Sequence, residues 1–177
     1  LALLALCCEA DEGTLDLIMK IISANLNGIR SAAKKHFFDW MAKQNPDFVC
    51  VQELKAQQAD MTPDFLAPAG FHGHFHYAEK KGYAGTGVYS RTQPLNVTIG
   101  FGHPEFDAEG RYVQCDFEQL SVISLYAPSG AASQERPCAV RLHNTGTAMT
   151  SVITPRYFPE MARPHPAPSN MAAAVPV

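Results

Sequence analysis

The chain contains 177 residues, of which 46% are hydrophobic and 18% charged, and its 14 basic and 17 acidic residues leave a formal net charge of −3. This length suits one globular domain, and the charge excludes a highly basic nucleic-acid-binding protein, so phosphate contacts would have to depend on local groups. The five cysteines show no metal-ligand spacing, which favours the reducing cytoplasm over a disulfide framework, and no segment is long and apolar enough to span a membrane.

Residues 1–18 come before the first recognisable strand. Residues 1–6 are apolar but too short for a membrane span, and they lack the basic region of a signal peptide. Because Met19 opens the first strand, we expect residues 1–18 to be translated sequence upstream of the true start. A short leader of unassigned role is the alternative.

The first strand is predicted at residues 19–25, and it runs into Asn25-x-Asn27-Gly28. Asparagines two positions apart point to the same side of an extended chain, and Asn27-Gly28 is a strong turn signal. Asn25 could therefore hold a carboxylate or a metal-bound water at the edge of a sheet. The alternative is ordinary Asx-turn chemistry, which explains Asn27 well and Asn25 less well.

A helix is predicted next, at residues 31–44. Phe37, Trp40 and Met41 follow a three- and four-residue spacing that gives the segment one apolar face. Pro46 disfavours a helical conformation for the residue before it, so we expect the helix to end there.

A short apolar run at residues 48–51 is typical of a strand buried on both faces, and Glu53 follows it. Open α/β sheets bind ligands at the carboxyl ends of their strands. A carboxylate in that position can hold a magnesium ion, and the neighbouring Lys55 can meet a phosphate. A solvated acid in a strand-to-loop turn is the alternative interpretation of Glu53.

The next part of the chain is mostly strand. A short helix is predicted at residues 64–67 and strands at residues 72–78, 87–90, 97–101, 111–117 and 121–126, which together indicate a mixed α/β fold. His72, His74 and His76 alternate on one strand, but a spacing of about 6.5–7 Å makes a shared zinc ion awkward, so we expect a strand that faces solvent or a DNA groove. Tyr126 ends the last strand, where its hydroxyl could reach an anionic oxygen or its ring could pack under the following loop.

Three motifs occur in this order: Asn-x-Asn-Gly-x-Arg at residues 25–30, Gln-Glu-x-Lys at residues 52–55 and Tyr-x-Pro-x-Gly at residues 126–130. A glycine-rich entry to a strand, at residues 79–88, lies between the last two. In this combination the chain resembles the exonuclease III family of apurinic/apyrimidinic endonucleases, within the endonuclease/exonuclease/phosphatase superfamily. The resemblance implies the N-terminal half of the four-layer α/β sandwich of that fold, with a mixed sheet and flanking helices.

The same resemblance implies a magnesium-dependent phosphodiesterase, with manganese as a possible substitute, that acts in base excision repair on double-stranded DNA with abasic sites or 3′ ends. Glu53 would bind the metal, Asn25 would orient catalytic groups, and Tyr126 would lie near the scissile phosphate. The residues that would contact DNA are Asn27, Gly28, Arg30 and Lys55. The family implies neither a membrane nor an obligate protein partner.

The family's later catalytic parts are an Asp-x-Asn pair, a further aspartate and a Ser-Asp-His, and none of them is found in this sequence. Residues 137–177 contain no aspartate and no lysine but are rich in proline and alanine. The residue immediately before His143 and the one immediately before His165 are not acidic, so neither histidine is assigned as the catalytic one. We therefore divide the chain into residues 1–18, a partial nuclease domain at residues 19–136, and a tail from residue 137 that is frameshifted or disordered.

Without groups that activate water, the chain is predicted to have little or no nuclease activity, since general acid–base catalysis contributes about 10²–10⁴-fold. The alternatives are another phosphoesterase of the superfamily and a catalytically dead DNA-binding module. A partial fold would also leave an apolar sheet face and open strand edges, which predicts poor solubility or oligomerisation.

Overall fold

The computed structural model describes residues 19–127 and 149–155. The strands are β1 (Ile21–Asn25), β2 (Phe48–Gln52), β3 (His72–His76), β4 (Thr86–Ser90), β5 (Asn96–Ile99), β6 (Tyr112–Asp116), β7 (Leu120–Tyr126) and β8 (Met149–Pro155). The helices are α1 (Ile29–Lys34), α2 (Phe37–Gln44), α3 (Pro63–Leu66) and α4 (Pro104–Asp107), and short 3₁₀ turns lie at Gln58–Asp60 and Pro68–Gly70. Within these two ranges, no helix has the length and apolar character needed to cross a membrane. The predictions for residues 1–18, and those that rest on His143 and His165, lie outside the described residues.

The strands form two four-stranded sheets. The first has the order β1-β2-β4-β3, with β1 parallel to β2 and the other pairs antiparallel. The second has the order β5-β6-β7-β8 and is antiparallel throughout. Strand β2 contacts β7, and β4 contacts both β6 and β7, so the two sheets pack face to face. The predicted α/β class, with a mixed sheet and flanking helices, is confirmed by this arrangement.

Two different apolar clusters cover the two faces of the first sheet. On one face, Ile22 and Tyr89 pack with Met41 of α2, and on the other, Cys50 packs with Cys115 of the second sheet. All five side chains are at most 1% exposed. Complete burial of a side chain such as Met41 contributes about 1.5–3 kcal/mol to the free energy of unfolding. Cys50 and Cys115 are both buried free thiols.

The single helix predicted at residues 31–44 is wrong, because the chain forms two helices, α1 and α2, in this region. His36 lies between them in the left-handed conformation, with a φ of 60°. This break turns Phe37 and Met41 of α2 into the core, and Trp40 packs beside them. The apolar spacing continues across the break, which is why it indicated one helix.

Strand β3 is an outer strand of the first sheet, and its three histidines lie on one side of it. The Nδ1 atom of His76 lies 3.1 Å from the carbonyl oxygen of Tyr112 on β6, so this side faces the second sheet. His72 is exposed, whereas His74 and His76 are partly buried. The expected exposure to solvent is therefore found only at His72. Within the described residues, no three His, Cys, Asp or Glu side chains form a group suited to a metal ion.

Strand β8 lies within the segment that was predicted to be a tail. It pairs with the whole length of β7, from Leu120 opposite Pro155 to Tyr126 opposite Met149. The apolar and polar pattern of the sequence did not predict this strand. The domain boundary at residue 137 and the proposed frameshift stay predictions, because the rest of the tail lies outside the described residues.

Candidate active site

Asn25 and Glu53 lie together at one edge of the first sheet because β1 and β2 are parallel. The register pairs Asn25 with Gln52, so the residue that follows β2 lies beside the end of β1. The two segments stay paired beyond the strands, since the Leu26 N–H donates to the Gln52 carbonyl over 2.9 Å and the Gly28 N–H donates to the Glu53 carbonyl over 2.8 Å. This is the edge at which open α/β sheets bind ligands.

The carboxylate of Glu53 is held by three side chains. Asn25 Nδ2 donates a hydrogen bond of 2.7 Å to Oε1, and the Tyr126 hydroxyl donates one of 3.1 Å to the same oxygen. Lys55 Nζ lies 3.0 Å from Oε2 and forms an ion pair with it. The Glu53 side chain keeps 16% of its surface exposed, so a small ligand from solvent can still reach it.

Glu53 and Lys55 both have left-handed backbone conformations, with φ values of 53° and 48°. Residues other than glycine seldom adopt this conformation, and strained backbone of this kind clusters at functional sites. Leu54, between them, is completely buried, and its N–H donates to the Gly85 carbonyl over 3.2 Å. The Lys55 N–H donates to the Ala84 carbonyl over 2.9 Å, so a neighbouring loop anchors the strained turn.

Asn27 joins the two ends of this polar group. Its backbone N–H donates to Asn25 Oδ1 over 3.0 Å, and its side-chain oxygen accepts a hydrogen bond of 2.5 Å from Lys55 Nζ. Asn25 therefore uses its amide oxygen for an Asx turn and its amide nitrogen for Glu53. The two interpretations of Asn25 that the sequence left open are both observed.

The electrostatics of the site favour an ionised Glu53 beside a protonated Tyr126. Burial disfavours the Glu53 anion, but hydrogen bonds from Asn25, Lys55 and Tyr126, together with the Lys55 charge, outweigh burial and hold the pKa of Glu53 below its usual range. Burial and the nearby Glu53 carboxylate raise the pKa of Tyr126 to about 12. At neutral pH, Glu53 is therefore an anion and Tyr126 is a hydrogen-bond donor.

Arg111 borders this group, although sequence reasoning did not single it out. It is only 6% exposed, its guanidinium pairs with Glu109, and that guanidinium lies 5.8 Å from the ring centroid of Tyr126. The Arg111 carbonyl also accepts the N–H of Tyr126 over 2.9 Å. The only signal in the sequence is a basic residue at the start of a predicted strand, and this does not distinguish Arg111 from a surface arginine.

The structure brings most of the predicted site residues into one contact group. Its members are Asn25, Asn27, Glu53, Lys55 and Tyr126. Arg30 lies outside this group on α1, where its guanidinium is 3.4 Å from Asp60 and its side chain is 60% exposed. Gly28 supplies a backbone N–H and a positive φ of 104° to the turn after β1. The assigned roles of all these residues stay predictions.

Comparison with known proteins identifies the fold family. The family described as "Endonuclease/Exonuclease/phosphatase family" matches residues 22–174. The exodeoxyribonuclease of Bacillus subtilis (strain 168) is 39% identical over 119 residues, which cover 67% of this chain and 46% of that protein. A DNA-(apurinic or apyrimidinic site) endonuclease of Dictyostelium discoideum is 37% identical over 111 residues, which cover 63% of this chain and 30% of that protein. A solved 3′-5′ exonuclease (NExo) from Neisseria meningitidis has a TM-score of 0.55 and 27% identity, and the match covers 63% of this chain and 43% of that one.

The chain spans less than half the length of these three relatives. The match is to their N-terminal part, as the three sequence motifs predicted. The resemblance to exodeoxyribonucleases and abasic-site endonucleases is thereby confirmed. The chain belongs to the endonuclease/exonuclease/phosphatase family.

Proposed function

We propose that the whole protein is a divalent-cation-dependent DNA repair phosphodiesterase of the exodeoxyribonuclease III or abasic-site endonuclease type, and that this chain contributes the part of its active site around Glu53. The observation that carries the proposal is the ionised Glu53 carboxylate, which Asn25, Lys55 and Tyr126 hold at the edge of the sheets. The reaction class is supported by the two nucleases that the chain resembles over more than 60% of its length.

The donor atoms around Glu53 suit a magnesium ion, with manganese as a substitute. Glu53 supplies a carboxylate, and the amide oxygens of Asn25 and Asn27 belong to the same contact group. Magnesium is usually held by one or two carboxylates, while waters and substrate phosphates complete its octahedron. A single protein carboxylate therefore fits a site that the substrate helps to form. When bound, such an ion neutralises charge on a phosphate and orients water.

The other side chains of the group are suited to a phosphate. The Lys55 side chain is 35% exposed, and its ammonium can pair with a phosphate oxygen as a compact positive charge. Because the pKa of Tyr126 is raised to about 12, its hydroxyl stays protonated and can donate a hydrogen bond to an anionic oxygen. Asn25 would keep the Glu53 carboxylate in a fixed orientation through their 2.7 Å hydrogen bond.

The proposed substrate of the whole protein is double-stranded DNA with an abasic site or a 3′ end. The relatives support this substrate class, since one is named for apurinic or apyrimidinic sites. Because the net charge of the chain is −3, phosphate contacts would come from local groups such as Lys55 and the exposed Arg30, next to Asn27 and Gly28. A cytoplasmic location and the lack of an obligate protein partner are proposed on sequence grounds alone.

A DNA-binding module without catalysis is the second candidate for this chain taken by itself. In the described part of the chain, the side chains that hold Glu53 are those of Asn25, Lys55 and Tyr126, and none is a histidine or a second carboxylate. We therefore expect the 177-residue chain to bind metal and DNA but to have little or no nuclease activity, since general acid–base catalysis contributes about 10²–10⁴-fold.

Manganese binding to the full 177-residue chain tests the proposed metal site. We expect an electron paramagnetic resonance titration to show bound Mn²⁺ that Mg²⁺ displaces. Glu53→Gln should weaken the affinity by about 10-fold or more, because it removes the only charged ligand of the group. Glu105→Gln makes the same chemical change at an exposed acid of α4 and is the matched control. Full affinity in Glu53→Gln would contradict the proposed site.

Incubation with an abasic-site duplex separates the two candidate functions. Cleavage that needs Mg²⁺, and that EDTA and Glu53→Gln both abolish, supports the nuclease. Binding that weakens with salt but leads to no cleavage supports the DNA-binding module. If the chain neither binds nor cleaves the duplex, both candidates are wrong for this chain.

A further inference from the structure

A layer of buried polar side chains lies next to the contact group around Glu53, and three of its members come one or two residues before Asn25, Glu53 and Tyr126 in the chain. It consists of Ser23 on β1, Gln52 on β2, Thr86 on β4 and Ser124 on β7. Ser23 is 8% exposed, and the other three are fully buried. Polar groups in such a place cost stability unless they are hydrogen-bonded, so the arrangement of their hydrogen bonds is informative.

The hydrogen bonds of this layer join the two sheets. The hydroxyls of Thr86 and Ser124 lie 2.7 Å apart and connect the first sheet to the second. Thr86 Oγ1 also donates to the Val51 carbonyl over 2.9 Å. Gln52 Nε2 lies 3.3 Å from the Ser124 hydroxyl and 3.4 Å from that of Ser23. One connected set of side chains thus ties β1, β2, β4 and β7 together.

Residues of the layer are sequence neighbours of residues in the site. Ser124 precedes Tyr126 by two residues on β7, so their side chains lie on the same face of that strand. Gln52 immediately precedes Glu53 at the end of β2. The Tyr126 hydroxyl reaches Glu53 across the junction of the sheets, so the length of that contact depends on how β7 is placed along β2.

Apolar packing alone supplies no directional restraint on that placement. The cluster between the sheets contains Val88, Val113 and Val122, and attraction between such side chains has no preferred direction. A hydrogen bond prefers a narrow range of distances and angles. The Thr86–Ser124 bond therefore adds a directional restraint on the placement of β7 against β4, which the surrounding valines do not supply.

We propose that Thr86 and Ser124, supported by Gln52, are positioning residues that hold Tyr126 against Glu53. The proposal rests on the proposed function in one respect, which is that the contact group around Glu53 is an active site. The geometry of that group can be tested without metal or DNA. Thr86 and Ser124 act through Tyr126 and touch no substrate themselves.

Variants of Thr86 distinguish an effect on the position of Tyr126 from an effect on the stability of the fold. Thr86→Val keeps the shape of the side chain and removes its hydroxyl, whereas Thr86→Ser keeps the hydroxyl and removes a buried methyl group. Ser124→Ala removes the partner hydroxyl and provides a second variant in case Thr86→Val fails to fold. Ser121→Ala is the matched control, because Ser121 is also buried on β7 but donates to Asp116 over 2.6 Å.

The readout is the ¹³Cζ chemical shift of Tyr126 at neutral pH in the full chain, assigned with Tyr126→Phe. Glu53→Ala marks the position of this signal when the acceptor is missing. We expect Thr86→Val and Ser124→Ala to move the signal toward that position, and Thr86→Ser and Ser121→Ala to leave it in place. Mn²⁺ affinity should fall by up to about 10-fold in Thr86→Val and remain unchanged in Thr86→Ser, because about 10-fold is the lower end of the loss for a residue that orients a ligand directly.

A folded Thr86→Val chain with an unmoved Tyr126 signal overturns the proposal. So does a signal that moves in all four variants in proportion to their loss of stability, since that is the behaviour of a purely structural network. Because the tyrosine signal is measured without metal or DNA, absence of Mn²⁺ binding or DNA cleavage would count against the proposed function and not against this inference.

Discussion

The Tyr126 hydroxyl donates a hydrogen bond to the carboxylate of Glu53 although the two residues are 73 positions apart in the chain. Tyr126 ends β7 of the second sheet, and Glu53 follows β2 of the first. The other two side chains that hold the carboxylate, Asn25 and Lys55, belong to the first sheet and the turn after it. The site is therefore completed by the packing of two sheets, and the pKa of Glu53 should respond to changes in either sheet.

Loss of the Tyr126 hydroxyl should raise the pKa of Glu53. A hydrogen bond donated to a carboxylate favours the charged form, so Tyr126→Phe removes one of the contacts that lower this pKa. The pKa can be measured by NMR titration of the ¹³C-labelled Glu53 side chain. Tyr112→Phe, which removes a hydroxyl bonded to Gln114, should leave it unchanged. If the pKa of Glu53 is the same in Tyr126→Phe as in the wild-type chain, the Tyr126 hydrogen bond does not stabilise the Glu53 anion.

Glu53 should make the metal-free chain sensitive to acid. Its pKa in the folded chain lies below the usual 4.5, so the folded state binds this proton less readily than the unfolded state does. The resulting stabilisation is present above pH 4.5 and is lost as the pH falls from there through the folded pKa. The free energy of unfolding of Glu53→Gln should therefore change less with pH in this window, as urea titrations at several pH values can measure. If the free energy of unfolding changes equally with pH in the wild-type chain and in Glu53→Gln, the lowered pKa of Glu53 is contradicted.

The sequence was sufficient to place Asn25 beside Glu53. Asn25 ends one short apolar strand and Glu53 follows another, and the carboxyl ends of such strands meet at one edge when the strands are parallel, as β1 and β2 are. The sequence also predicted Lys55 next to the carboxylate, because Lys55 is separated from it by one residue. These relationships are local or depend on one strand pairing, so pattern and spacing capture them.

Other features depend on packing that no local pattern encodes. The break at His36 depends on a left-handed backbone conformation, while the apolar spacing continues across it. The burial of Arg111 beside Tyr126 depends on the contact between β6 and β7. Strand β8 has no strong alternation of apolar and polar residues and is defined by its pairing with β7.

His74 should make the chain less stable as the pH falls below neutral. Burial, and the neighbouring His72, lower its pKa below the usual 6.5, so the unfolded state binds this proton more readily than the folded state does. Stability is therefore complete above pH 6.5 and decreases as the pH falls from 6.5 to the lower folded pKa. His74→Leu should remove this part of the pH dependence in thermal or urea unfolding experiments. A steep loss of stability that persists unchanged in His74→Leu would assign it to another group.

Gly110 should tolerate alanine far less well than Gly82. Both have positive φ values, 65° and 71°, so each alanine incurs the left-handed strain of about 1–2 kcal/mol. At Gly110 a Cβ would also lie 2.6 Å from the backbone nitrogen of Ala78 and 2.8 Å from the His76 carbonyl oxygen, whereas at Gly82 it would meet nothing within 4 Å. We expect Gly110→Ala to lower the free energy of unfolding by clearly more than Gly82→Ala in urea titrations. Equal losses of unfolding free energy in the two variants would mean that the backbone around Gly110 shifts to accommodate the added Cβ without a loss of stability.

The isolated 177-residue chain should self-associate through β5, which is an outer strand of the second sheet. Ile99 of β5 is 55% exposed, and Phe101, two residues after the strand, is 49% exposed. An edge strand with exposed apolar side chains is prone to pair with another chain. Ile99→Lys should therefore raise the monomer fraction in sedimentation velocity experiments at a fixed concentration. Thr98→Lys adds the same charge to the same strand and removes no exposed apolar side chain, so it should have the smaller effect. An equal effect of both variants would assign the change to charge, and a wild-type chain that is fully monomeric would contradict the prediction.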